Sequence, residues 1–316
     1  MLRLIVVGAG AVGGTIAAAV ENSGFSTGLV TRPNDALHYR EHGLSVQFPD
    51  RQIHARPEIF AGIGDVDWRQ GDVAVVATKL NDAQQTLDEL KNAAGGQLPV
   101  VCASNGIQGE AWALERFEVV FGLMIWMPST HMQRGDFRVY GKGCPGILDV
   151  GTVTNEQANE IRHSLCLQIA STLAGAGFDS VQRNDIMRWK YAKLVTNVGN
   201  TAQALVIDDW KAVAALAREE AERVLTVAGI DRVETDEFLK RCKSIALAPI
   251  DGQKREGGST WQSLQRGKPL ETPWIEGAIV DIAKSVGQAA SVNQRLNELA
   301  GDAQRMTAAD ILEGLQ

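Results

Sequence analysis

Along the first half of the chain, short runs rich in β-branched residues alternate with stretches whose apolar positions recur at helical spacing. That alternation is the pattern of a parallel sheet with crossover helices. Strands are predicted over Leu2–Val7, Thr27–Thr31, Val73–Ala77, Pro99–Ala103 and Glu118–Gly122, and helices near Ala11–Ser23, Asp35–His42, Asp82–Asn92 and Glu110–Arg116. Two segments interrupt the rhythm and predict hairpins. One is LSVQFPDRQIHA (Leu44–Ala55), turning at Pro49-Asp50; the other is FRVYGKGCPGILDV (Phe137–Val150), turning through its glycines. A long helix near Asn155–Ala174 ends at Gly175-Ala-Gly177, and FDSVQRND (Phe178–Asp185) predicts a last strand and a boundary. From Ile186 onward the strand signals vanish. Helical patterns run through 186–206, 209–228, 234–247, 260–266, 273–287 and 290–304, separated by Gly, Pro and Asp clusters.

The first strand and helix are joined by Gly8-Ala-Gly10-Ala-Val-Gly13. A G-x-G-x-x-G string alone is a weak signal, but here it directly follows a strand and opens a helix. The first glycine permits the tight turn, the second lets a pyrophosphate approach the backbone, and the third allows close helix–strand packing. The N–H groups of the first helical turn, from Ala11 and Val12 on, then face the phosphates. The fold class is therefore α/β, a Rossmann-type N-terminal domain over residues 1–183, followed by an all-α C-terminal domain over 184–316. The second strand ends without the acid that usually bonds the ribose 2′-OH of NAD, and Arg32 follows it. An arginine there suits a 2′-phosphate, so NADP(H) is the cofactor expected.

Composition narrows the partners. With 316 residues and 45% hydrophobic content the chain has length for two domains and their cores. A formal charge of −7 argues against nucleic acid or anionic lipid as the main partner. Leu4–Val20 is a run of 17 residues without a charge. It falls short of the roughly 20 that a spanning helix needs, and its ordered glycines favour a folded reading over a signal peptide. The cysteines Cys102, Cys144, Cys166 and Cys242 are scattered with no C-x-x-C pair, so neither disulfide framework nor metal site is indicated and a reducing cytoplasm fits best. The apolar stripes of the helical half could pack internally or join two copies as a homodimer.

Hydride transfer to a carbonyl needs a proton donor. All five histidines lie before residue 184, so in the helical domain a lysine is the better candidate. Residues 187–205, MRWKYAKLVTNVGNTAQAL, place Met187, Tyr191, Leu194, Val198 and Leu205 on one helical stripe, and Trp189, Lys193, Asn197 and Asn200 on another face.

Several motifs in order resemble the ketopantoate reductase (2-dehydropantoate 2-reductase) family. They are the N-terminal GAGAVGG, Arg32, Lys79 in VVATK, Ser104-Asn105-Gly106, WKYAKLVTN, and GSTWQSLQRGKPLET. The resemblance implies NADPH-dependent reduction of a small 2-oxo acid. It implies Lys193 as the general acid, Asn197 bonding the substrate one turn on, and Glu271 bonding a substrate hydroxyl or orienting Lys193. It further implies Ser259 on the substrate carboxylate, Asn105 near nicotinamide and substrate, and Lys79 bringing positive charge. Gly8, Gly10, Ala11, Val12, Gly13, Arg32, Lys79 and Asn105 would hold the cofactor.

Each residue also has a plainer reading. Lys193 and Asn197 could be a solvated face. Ser259 with Gln262 reads as a capping box. Glu271 precedes Thr272-Pro273, a cap and helix-starting proline, where an acid suits the helix dipole. Asn105-Gly106 could be a turn. The chain also departs from the family pattern. Thr201 stands where a second asparagine is common, with Asn200 one place earlier. Glu271-Thr-Pro273-Trp-Ile-Glu276-Gly replaces both polar residues of E-x-D-x-x-N-G. Asp82 replaces a frequent glutamine, and Trp189 is four residues before Lys193 instead of two. Alternatives carried beside the reductase are a 3-hydroxyacid dehydrogenase-like enzyme with a Lys-x-x-x-Asn site and a non-catalytic NADP(H)-binding regulator.

Overall fold

The computed structural model describes residues 1–153, 160–302 and 304–313. The chain forms two compact units. One comprises Met1–Ser104, Gln108–Met187 and Leu239–Arg255; the other comprises Asn105–Ile107, Arg188–Phe238 and Glu256–Gln316.

The first unit holds strands β1 (Arg3–Val7), β2 (Thr27–Val30), β3 (Leu44–Gln47), β4 (Gln52–Ala55), β5 (Glu58–Phe60), β6 (Asp72–Val76), β7 (Val100–Cys102), β8 (Val120–Trp126), β9 (Ser129–His131), β10 (Asp136–Val139) and β11 (Ile147–Thr152). Its helices are α1 (Ala11–Asn22), α2 (Pro33–His42), α3 (Leu80–Ala94), α4 (Gln108–Leu114) and α5 (Glu160–Gly175). The start expected for the last of these, near Asn155, lies outside the described residues. Seven strands form one sheet in the order β11-β8-β7-β6-β1-β2-β5. Its pairings are parallel except β11 with β8.

Both faces of this sheet are covered, which is why β1 reads as an unbroken apolar run after Arg3. Leu4 and Val6 join Ile16 and Val20 of α1 in one core, while Ile5 and Val7 join Leu87 and Leu90 of α3 in another. The uncharged run Leu4–Val20 is thus a strand, a turn and most of a helix. At the amino edge Arg3 and Asp72 face each other across β1 and β6. The guanidinium grips both carboxylate oxygens, Nε to Oδ1 at 2.8 Å and a terminal nitrogen to Oδ2 at 2.7 Å, fixing that register.

A second sheet has the order β4-β3-β10-β9. The hairpin expected at Pro49-Asp50 is there, with Leu44 opposite Ala55. The hairpin expected over Phe137–Val150 is not. β10 pairs with β9 and β3, whereas β11 pairs with β8 of the other sheet. The intervening glycines carry the chain from one sheet to the other: a Cβ at Gly141 would meet the Cys144 carbonyl oxygen at 2.2 Å. Phe178–Asp185 likewise makes isolated bridges to β11, at Asp179 and Gln182, in place of a full strand.

The helical part of the chain forms α6 (Ile186–Asn197), α7 (Gly199–Leu205), α8 (Trp210–Val227), α9 (Thr235–Cys242), α10 (Ser259–Gln265), α11 (Glu276–Ser285), α12 (Ser291–Gly301) and α13 (Ala308–Glu313). The single helix expected over 186–206 is broken at Val198. Leu194, Val198 and Leu205 of its apolar stripe are fully buried in the second unit's core with Val213 and Val224 of α8 and Ile279 of α11. None of the helices is long and apolar enough to cross a membrane among the described residues.

A single cut between residues 183 and 184 does not describe the division. Asn105–Ile107 belongs with the helices, and Leu239–Arg255 returns to the α/β unit. Charge and backbone pairing explain the return. Arg241 bonds Asp179 and the fully buried Asp149, the latter at 2.7 Å. Lys142 N–H donates to Ala246 O at 2.8 Å, and Ala248 N–H to Tyr140 O at 3.0 Å.

Candidate active site

Within the first unit the glycine turn has the geometry its sequence implies. Gly8 leaves β1 with φ +110°, a conformation that a side chain would strain. A Cβ at Gly13 would lie 2.0 Å from the Gly8 carbonyl oxygen and 2.9 Å from Ala77 Cβ, so only glycine lets α1 pack this closely. Gly10 differs. It caps α1, and a Cβ there would meet nothing within 4 Å. No side chain caps the N–H groups of α1, whose first residues Ala11 and Val12 are half-buried. Arg32 and Lys79, the residues before α2 and α3, likewise make no side-chain cap of their own helix.

This is a cradle that fits a phosphate-bearing dinucleotide: an open backbone surface at a helix N-terminus, with unmet donors facing it. Arg32 is exposed and holds no ion-pair partner among the described residues. Lys79 is half-buried at the carboxyl end of β6, the edge where parallel sheets take ligands. The unit also has an open recess of about 900 Å³ lined in part by Trp68, Leu98, Pro99, Ile161 and Leu165. It opens at the amino ends of β6 and β7 and contains none of the expected residues.

Within the second unit the face opposite the apolar stripe is not solvated. Lys193 is 8% exposed and Asn197 9%. The Lys193 ammonium donates to Asn105 Oδ1 at 2.8 Å, and Asn197 Nδ2 donates to the same oxygen at 3.5 Å. Asn200 Nδ2 then donates to Asn197 Oδ1 at 3.3 Å. One ammonium and three amides form a continuous polar chain. Asn105 is positioned by Gly106, whose φ of +74° turns the chain, so turn and polar contact are one feature. Trp189, expected on the same face, packs on Phe238 with ring centroids 6.4 Å apart. Lys190, which sequence reasoning passed over, is 3% exposed on the same helix.

Asn200, not Thr201, extends this chain. Thr201 is buried and its hydroxyl acts on Glu276, the other residue at which the sequence departs from the family pattern. Neither carboxylate oxygen of Glu276 has a well-formed hydrogen bond, and burial pushes its carboxyl up to about 8. The two departures are therefore neighbours. Ser259 is half-buried and is the first residue of α10, not its cap. Gly258 caps instead, its N–H bound by Gln203 Oε1 at 2.9 Å, so the capping-box expectation fails. A Cβ at Gly258 would lie 3.3 Å from Asn200 Oδ1, which brings the start of α10 beside the amide chain. Glu271 is half-buried and begins a 3-10 turn over Thr272–Trp274, ahead of α11.

Two family models match, described as "Ketopantoate reductase PanE/ApbA" over residues 4–155 and its C-terminal counterpart over residues 185–304. The chain belongs to the ketopantoate reductase family. Curated relatives include the 2-dehydropantoate 2-reductases of Archaeoglobus fulgidus and Pyrococcus abyssi. The former is 25% identical over 94% of this chain and 96% of its own. The latter is 22% identical over 92% and 94%. Solved structures with the same fold include a PanE/ApbA family ketopantoate reductase from Ralstonia eutropha, at 20% identity, full coverage of both chains and TM-score 0.76. Another is a D-mandelate dehydrogenase solved with NADH and anilino(oxo)acetate, at 20% identity, 95% and 98% coverage and TM-score 0.79.

The family's expected residues thus fall into two sets. Gly8, Gly10, Ala11, Val12, Gly13, Arg32 and Lys79 belong to the first unit; Lys193, Asn197, Asn105, Ser259 and Glu271 belong to the second.

Proposed function

We propose that this protein is an NADPH-dependent reductase that converts a small 2-oxo acid, ketopantoate or a close analogue, to the 2-hydroxy acid. The observation that carries the reading is the buried ammonium of Lys193 held 2.8 Å from Asn105 Oδ1 on a chain of amides. A lysine that only needed solvent would have no reason to be sealed there. The names of the A. fulgidus and P. abyssi relatives support the substrate class. The absence of an acid after β2, with the exposed Arg32 in its place, supports NADPH over NADH.

A reduced nicotinamide, when bound at the glycine turn, supplies hydride to the carbonyl carbon. As the carbonyl oxygen gains charge, Lys193 donates a proton to it and is left as a neutral amine. Asn105 fixes the ammonium's direction by taking one of its three N–H bonds. Asn197 offers its amide to the substrate from one turn further along α6. Ser259 takes the substrate carboxylate, and Glu271 a substrate hydroxyl. Lys79 adds positive charge for the cofactor and the acid.

Mixing the protein with NADPH and ketopantoate should deplete the reduced nicotinamide; no turnover across a broad panel of 2-oxo acids would overturn the reading. Lys193→Ala should lower kcat by about 10²–10⁴-fold, the usual contribution of a positioned acid. A rate near that of the wild type would remove Lys193 from the role. Oxidation of 3-hydroxy acids, measured with both cofactors, would instead point to a 3-hydroxyacid dehydrogenase.

A further inference from the structure

The approach to α10 runs through two glycines, Gly257 and Gly258. Glycine loses more conformational freedom on folding than any other residue, so such a pair keeps one course only where its neighbours fix it. Gly257 has φ +54°, and a Cβ there would lie 2.5 Å from the Trp261 ring, so the chain turns tightly against that indole. At Gly258 a Cβ would lie 3.3 Å from both Asn200 Oδ1 and Gln203 Oε1. Those two amides stand three residues apart on α7 and therefore share a face.

Gln203 is the one that grips the strap. Its Oε1 accepts from Gly258 N–H at 2.9 Å, its sole hydrogen bond among the described residues. The helix that carries it is anchored, because Ala202 and Leu205 are fully buried in the second unit's core. The residue after Gly258 is Ser259. Downstream, α10 holds it: Ser263 Oγ donates to Ser259 O at 2.9 Å, and Gln262 N–H to Gly258 O at 3.1 Å. Upstream, the Gln203 amide does. Asn200, which also borders Gly258, donates to Asn197, and Asn197 shares Asn105 Oδ1 with Lys193. The strap before Ser259 is thus tied to the helix that extends the Lys193 amide chain.

We propose that Gln203 is a positioning residue for the 2-oxo acid. By holding Gly258 it sets where Ser259 stands relative to the Asn197 and Asn200 amides, and so how tightly a substrate carboxylate is bound. The inference rests on the reductase reading, in which Ser259 takes that carboxylate. Gln203 acts through the Gly258 N–H and touches neither substrate nor cofactor.

Steady-state kinetics test it, with NADPH and the 2-oxo acid that the wild type reduces fastest from a panel including ketopantoate and pyruvate. Gln203→Met keeps the length of the side chain and removes the amide acceptor. It should raise KM for the acid about fivefold, the size of one neutral hydrogen bond, and leave kcat and KM for NADPH within about twofold of the wild type. Combined with Ser259→Ala it should raise KM no further, because residues that act through one contact are not additive. An unchanged KM for the acid, an equal rise for NADPH, or full additivity with Ser259→Ala overturns the proposal and leaves the reductase reading standing. Should Gln203→Met not fold, Gln203→Asn, whose oxygen falls one methylene short, is judged by the same outcomes. No turnover by the wild type overturns the reductase reading, and this inference with it.

Discussion

Glu276 shows how a single residue can look conspicuous in sequence and have an ordinary cause. The acid begins a helix whose apolar positions Ile279, Val280 and Ala283 share its face, so helical spacing alone places it in the core. Its carboxyl is pushed up to about 8 by desolvation, with the Thr201 hydroxyl opposing. Below about pH 4.5 it is protonated whether folded or unfolded. As pH rises towards 8 the unfolded chain ionises and the folded one does not, so stability falls through that window and levels above it. The loss is on the order of 1.4 kcal/mol for each pH unit crossed. Glu276→Gln should therefore match the wild type in melting temperature near pH 5 and exceed it increasingly towards pH 8. Equal pH dependence in the two proteins would show that Glu276 ionises freely. At this same scale the polar character of Lys193 and Asn197 was legible, but the choice between a wet face and a sealed one was not. That choice depended on Asn105, 88 residues away in the chain.

Among the elements, the β1–turn–α1 unit was the most legible. Its strand and helix were placed within a residue of their observed bounds, because local geometry demands glycine at Gly8 and Gly13. The glycines separate packing from binding. Gly13→Ala puts a Cβ on the Gly8 carbonyl and should destabilise the unit, read as a lowered melting temperature. Gly10→Ala meets no protein atom within 4 Å, so its melting temperature should be close to that of the wild type. It should nonetheless weaken NADPH binding by about tenfold or more, through a methyl group placed where a phosphate approaches the backbone. Unchanged NADPH affinity in Gly10→Ala would contradict a cofactor site there. The Phe137–Val150 hairpin failed because two β-rich runs joined by glycines resemble a hairpin whether they pair with each other or with separate sheets. The short strands β5 and β9 were missed, as each has three residues and no room to show a period.

For the whole molecule, a net charge of −7 means that a polyanionic cofactor is not drawn in by the overall field and depends on local cations. Arg32 is the one best placed by sequence to choose between cofactors. Arg32→Ala should raise KM for NADPH about tenfold, in keeping with a lost charged hydrogen bond, and leave KM for NADH unchanged. An equal rise for both would remove it from 2′-phosphate recognition. The sequence by itself determined the succession of strands and helices, the glycine turn and the family, because periodicity, backbone sterics and motif order are written in neighbouring residues. Only the tertiary structure decided that Asn105 joins the helices, that Arg241 draws Leu239–Arg255 back to the sheet, and that Lys193 is buried against an amide. Those outcomes depend on contacts between residues far apart in the chain, and on what water is excluded when they meet.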